Sequence, residues 1–305
     1  MAPTTIPQRQ TRTRAGIGAR LRRLNLLPHL LLLVFMLVIC IPLLWMLATS
    51  FKDKTEFATN PAGLIPRQIS LVNYQYLLSA LETLPQYMTN SFLMAGGAAL
   101  LQLALATLAG YSFARLRFPG RDWIFLALMV SAFIPRSGGL MALYEMMATL
   151  KLRNSVLGII LLFGSSVPAA IFIMRQTFLS IPSEIEEAAL IDGASRVQVF
   201  WRIGLPLATG GMLIVAILAF ASVWSDYLIT YTLIDSDAQM PISVGIQKIL
   251  VKSYETALSP QFRGLFSGEG ANAAALLFAS FPVVLLYAAL QRWFMRGLMD
   301  GALKG

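Results

Sequence analysis

Long uninterrupted apolar runs dominate the chain. Residues 24–51, 83–114, 154–174, 203–225 and 270–291 contain no Asp, Glu, Lys or Arg. About 20 apolar residues of helix cross the hydrocarbon core of a bilayer, so each run predicts a membrane span. A further apolar segment at 123–150 is interrupted by Arg136 and Glu145, and its Pro-Arg-Ser-Gly-Gly at 135–139 predicts a break within the span. The pattern thus predicts six helices, near 27–50, 86–114, 123–150, 155–179, 207–233 and 271–295. A closed barrel would need alternating segments of about 10 residues. These runs are continuous and too long, and helices satisfy their own backbone groups in lipid. The predicted fold class is an all-α polytopic membrane protein.

The polar intervals divide the chain. Residues 1–25 form a basic arm, 26–296 the helical domain and 297–305 a tail. The first run exceeds the 7–15 apolar residues of a cleaved signal and lacks a convincing small-residue cleavage site, so it is expected to persist as helix one. The segment 51–84 predicts a loop with a short amphipathic piece near 72–81, and 234–270 predicts a long loop. Both are expected on the outer side. Residues 182–206 separate helices four and five.

Composition agrees with a membrane protein: 57% of residues are hydrophobic and 13% charged, against about 25% charged in soluble domains. The net charge of +9 changes the picture only through its distribution. Fifteen cations fall on one side: six Arg in the N-terminal arm, Arg115, Arg117, Arg121, Arg175, Arg196, Arg202, Arg292, Arg296 and Lys304. Eight fall on the other, over longer loops. The positive-inside rule then puts both termini and 182–206 in the cytoplasm. The arm is suited to anionic headgroups of the lipid bilayer, and nucleic acid is not expected as a partner.

Several chemistries are excluded. There is no G-x-x-x-x-G-K-[ST] phosphate loop and no G-x-S-x-G. One His, His29, and one Cys, Cys40, preclude a Cys/His metal site. No catalytic residue, metal or cofactor is expected.

The densest acidic cluster, Glu184, Glu186, Glu187 and Asp192, lies in 182–206. Ser183-x-x-Glu186 and Ser195-x-x-Gln198 each have the form of a capping box, and Gly193 between them suits a helix end. The spacing predicts a helix at about 184–191, a turn at 192–194, a second helix at about 196–203, and a restart at Pro206. Acids in a first helical turn also favour the helix dipole, so capping alone is one account of the cluster. A DNA-reading hairpin is disfavoured by its net negative charge.

The stretch EAALIDGASRVQVFWRIGLP resembles the cytoplasmic motif of binding-protein-dependent ABC importer permeases, E-A-A-x-x-x-G followed after nine residues by I-x-L-P. Glu187, Ala188, Ala189, Gly193, Ile203, Leu205 and Pro206 fall in register. The adjoining Asp192 fits the sugar-importer version. The C-terminal LQRWFMRGLMDGALKG is similar to the end of the six-helix maltose-type subunit. The run Trp224-Ser225-Asp226-Tyr227 is similar to that family's W-N-D-F, with Ser in place of Asn.

The resemblance implies a permease subunit for a carbohydrate, half of a heterodimer with a second permease subunit. Two separate ATPase subunits would drive alternating access, and an extracytoplasmic sugar-binding protein would deliver solute. Residues 182–206 would form a coupling helix seated in the ATPase, and Leu303, Lys304 and Gly305 would make a second ATPase contact.

Candidate path residues are weaker. Asp226 is an ionisable group after a long uncharged run, which points to the bundle interior or to the outer mouth. Trp224 and Tyr227 near it suit sugar rings or an interfacial aromatic belt. Asn90 and Ser91 open helix two and are further candidates. A permease for a non-sugar solute, or a membrane-embedded enzyme using Asp226, Arg136 and Glu145, are the competing readings.

Overall fold

The computed structural model describes residues 26–79, 83–134, 136–256 and 265–302, with backbone alone for 26, 136, 137, 249, 250, 252–256 and 292–302. Regular secondary structure among these is helical throughout. α1 (Leu26–Ser50) follows the first apolar run. α2 (Lys54–Thr59) and α3 (Val72–Ser79) occupy the segment expected as loop with one helical piece. α4 (Leu84–Arg115) is unbroken over 32 residues, a length of about 48 Å at 1.5 Å per residue. α5 (Arg121–Ser131) and α6 (Leu140–Thr149) flank a break that holds a 3₁₀ turn at Arg136–Gly139, within the expected interruption.

The next expected span, 155–179, is two helices, α7 (Val156–Gly164) and α8 (Pro168–Ser180), bent by 49°. Pro168 explains the break: it has no N–H to donate backward and fits only the first turn of a new helix. The carbonyl of Ser166, freed by the break, accepts from Gln102 Nε2 at 2.6 Å.

α9 (Ser183–Ile191), α10 (Arg196–Val199), a π-helical turn (Phe200–Gly204) and α11 (Leu205–Leu207) lead into α12 (Thr209–Trp224), with a 72° bend. The expected helix at 207–233 is thus shorter, and α13 (Leu228–Leu233) follows as a separate piece. The expected loop at 234–270 is also corrected: it contains α14 (Ile242–Thr256), whose Ile242, Val244 and Ile246 are buried. Ile242 and Ile246 share one face and Val244 is buried on the opposite side, so the alternation masks the helix in the sequence, and its 15 residues are too few for a span. α15 (Gly268–Ala302) closes the chain.

Among the described residues three helices are long and apolar enough to cross a membrane, or up to five spans if each bent pair counts as one. The segment 123–150 supplies only short pieces, α5 and α6.

α4 carries two cores. Its first half packs Leu84, Tyr87 and Met94 with Trp224, Leu233, Met240 and Ile242. Its second half packs Ala106, Tyr111 and Phe113 with Met174, Phe178, Phe200 and Val215. The second contact is close because Gly110 has no side chain: a Cβ there would lie 2.5 Å from Met174 Cβ. The segment after α1 is organised by one cation. Lys52 is fully buried, and its Nζ donates to the carbonyls of Asn60 and Gly63 at 2.8 and 2.6 Å.

Candidate functional site

The hairpin at 182–206 forms as helix, turn and helix. Pro182 precedes α9 with an extended backbone, and α9 ends in a Schellman arrangement. Gly193 takes φ +85° and donates to Leu190 O, while Ala194 donates to Ala189 O. The second helix starts as expected: Ser195 Oγ accepts from Gln198 N and Gln198 Oε1 accepts from Ser195 N.

The first capping box does not form. Ser183 lies inside α9, the N-cap is Pro182 without a side-chain bond, and Glu186 is turned inward. Glu186 Oε1 accepts from Arg115 Nε at 2.8 Å, and Oε2 accepts from Tyr111 Oη at 3.1 Å. Arg115 also donates from Nη2 to Ile181 O at 2.6 Å. The Tyr111 ring meets Phe178 and Phe200 edge-on, with centroids 5.1 and 4.9 Å apart. A buried ion pair outweighs a solvent-exposed cap here, because a carboxylate beside Arg115 leaves neither charge unpaired.

The rest of α9 faces outward. Glu187, Ala188, Asp192 and Gly193 are exposed and Ala189 is half-buried. Around them Ile185, Ile191, Val197 and Trp201 are also exposed, Ile191 by 85%. On the second arm Ile203 and Leu205 are half-buried and Pro206 is exposed. The motif residues therefore divide between an exposed tip and a partly packed stem. Leu303, Lys304 and Gly305 lie outside the described residues.

The candidate path residues gather at the other end of α4. Asn90 Nδ2 donates to Ala238 O and Met240 O at 2.9 and 3.0 Å. Ser91 Oγ accepts from Ile242 N. Asp226 sits in the break between α12 and α13, where Oδ2 accepts from Thr230 N and Oγ1. Ser243 Oγ donates to Asp226 O at 2.6 Å. Asn90, Ser91 and Asp226 thus converge on the segment 238–243. Trp224 is buried, donates to Ala279 O at 3.0 Å and stacks on Phe220. Tyr227 is exposed and stacks on Tyr231. Glu145 is exposed, and the side chain of Arg136 is outside the described residues.

None of these residues lines a cavity of about 1070 Å³ in the helical body. That cavity is bordered by the breaks in two bent segments, and its polar groups include Gln102, Ser131, Ser165, Ser166 and Ser222. Sequence reasoning missed these residues. The available signal was Pro168, which marks one of the breaks that open the groove.

Residues 13–300 match the family described as binding-protein-dependent transport system inner membrane component. The galactooligosaccharides transport system permease protein GanQ of Bacillus subtilis is 31% identical over 93% of this chain and 97% of its own length. The sulfoquinovosyl glycerol transport system permease protein SmoH of Agrobacterium fabrum is 30% identical over 87% and 88%. Among solved structures, a bacterial ABC transporter involved in the import of the acidic polysaccharide alginate shares the fold with a TM-score of 0.76. It covers 92% of this chain and 99% of that one at 21% identity. The chain belongs to the binding-protein-dependent transport system inner membrane components: it is a multi-pass permease subunit of an ABC importer, a transport protein rather than an enzyme, that works with ATPase subunits and a solute-binding protein.

Proposed function

We propose that the chain imports a carbohydrate as one half of a permease heterodimer, with the hairpin at 182–206 as its cytoplasmic seat in an ATPase subunit. The carrying observation is the exposed tip of α9. Glu187, Ala188, Asp192 and Gly193 stand free of the helical body, ringed by exposed Ile185, Ile191 and Trp201. A soluble surface rimmed with such side chains is suited to burial against a partner. The short residues Ala188 and Gly193 let a partner backbone approach closely. Ile203, Leu205 and Pro206 would hold the tip at a fixed distance from α12. Leu303, Lys304 and Gly305 would add the second ATPase contact.

The same reading takes six spans with both termini cytoplasmic, as the cation distribution favours. Carbohydrate is supported by the relatives, whose named solutes are galactooligosaccharides and sulfoquinovosyl glycerol. The groove beside Gln102, Ser166 and Ser222 presents polar side chains suited to hydroxylated solutes. Asn90, Ser91, Trp224, Asp226 and Tyr227 would shape the outer end of the path, chiefly through the segment 238–243.

The test is reconstitution of the whole transporter in liposomes, with labelled oligosaccharides as solutes. Uptake that requires ATP, the binding protein and an intact hairpin supports the reading. Uptake of small ions or amino acids in preference to every sugar tried would overturn it.

A further inference from the structure

Glu186 is the single buried residue of α9. Ile185, Leu190 and Ile191 are exposed and Ala189 is half-buried, so α9 buries no large apolar side chain against the bundle. What holds it is polar: Arg115 and Tyr111, both from the last turns of α4, close on the two oxygens of Glu186. Arg115 reaches Ile181 O as well, so one guanidinium grips the chain on both sides of Pro182. The side chains of Arg115 and Glu186 are 14% and 8% exposed. A charge-assisted hydrogen bond shielded from water is stronger than a neutral one and fixes its partners in direction as well as distance.

We infer that the Glu186–Arg115 pair, steadied by Tyr111, is the joint through which displacement of α9 moves α4. This rests on the reading of the hairpin as an ATPase seat, but concerns residues other than the seat itself. Three routes lead from the hairpin into the bundle. The route through α8 is bent at 165–167, and the route through α12 is bent at Ala208 and ends at Trp224. α4 alone runs unbroken to the far core. There Asn90 and Ser91 hold the segment 238–242. A push at Glu186 therefore travels along one rigid element to the opposite end of the subunit. Glu186 and Arg115 are positioning residues in this scheme, since neither meets solute or nucleotide.

The experiment uses the assembled transporter in liposomes, carrying C40S and spin labels at R117C and S183C, two exposed positions beside the joint and away from the tip of α9. The distance between labels is measured at rest and after trapping with Mg-ATP and vanadate. The parent is expected to give one narrow distance, unchanged by trapping. E186Q is expected to lose that narrow distance in the trapped state alone. R115M/E186M, which leaves no buried charge unpaired, is expected to do the same with the melting temperature of the parent. A parent distance that shifts on trapping would overturn the joint, as would variants that keep the narrow distance throughout. Loss in both states would reduce the pair to a structural contact and overturn it equally. If the ATPase does not co-purify with the parent chain, the seat itself fails, and that result is distinguishable from all of these.

Discussion

Ser91 Oγ accepts the backbone N–H of Ile242 at 2.7 Å, joining two residues 151 positions apart in the chain. Both are buried. The bond satisfies an N–H at the start of α14 that has no partner within its own helix. S91A leaves that N–H buried without an acceptor and is expected to destabilise the subunit by about 1–3 kcal/mol. Thermal melts of the purified complex would read this. N90A should add to the loss, since Asn90 holds two carbonyls of the same segment.

Lys52 organises a segment that looks unstructured in the sequence. Its ammonium binds Asn60 O and Gly63 O inside the fold. K52M keeps the aliphatic stem and removes the donor, at an expected cost of about 1–3 kcal/mol. The measurable outcome is local: proteolysis and hydrogen exchange should accelerate between 54 and 70, with the hairpin at 182–206 unaffected.

Substitutions at the tip of α9 separate docking from folding. E187K and G193D are expected to uncouple ATP hydrolysis from uptake while the subunit still assembles in the membrane. Gly193 also carries a backbone term, because φ +85° disfavours a residue with a Cβ by about 1–2 kcal/mol. G193A therefore serves as the control for strain alone. Uptake unchanged in both charged variants would remove the docking role.

Two glycines of α4 should respond oppositely to the same change. At Gly110 an added Cβ would lie 2.5 Å from Met174 Cβ and 2.9 Å from Arg175 N. At Gly96 nothing lies within 4 Å. G110A is expected to lower the yield of folded subunit by forcing α4 from α8, and G96A to be neutral or to stabilise by about 0.5–1 kcal/mol. Size-exclusion yield and melting temperature of the two variants compare them directly.

The apolar runs were legible because a span has one dominant requirement, length without charge. α1, α4 and the turn at Gly193 follow from that requirement and from glycine's backbone freedom. The breaks were less visible. Pro168 was available as a signal, but the interruption at 225–227 carries neither Pro nor Gly, and depends on Asp226 accepting from Thr230. The role of Glu186 was hidden for another reason. Its spacing from Ser183 fits a capping box, and the partner that overrides this, Arg115, lies 71 residues earlier. Local patterns cannot weigh a tertiary ion pair against a local cap. Nor did they show that Asn90 and Ser91 spend their side chains on backbone groups of 238–242.

α1 is exposed along most of its length, and its main neighbour is α15. During synthesis α1 is therefore made long before the helix that becomes its main neighbour. Until then most of its length rests in lipid on its own apolar surface. Its unbroken greasiness is then a demand of biogenesis as much as of the finished transporter.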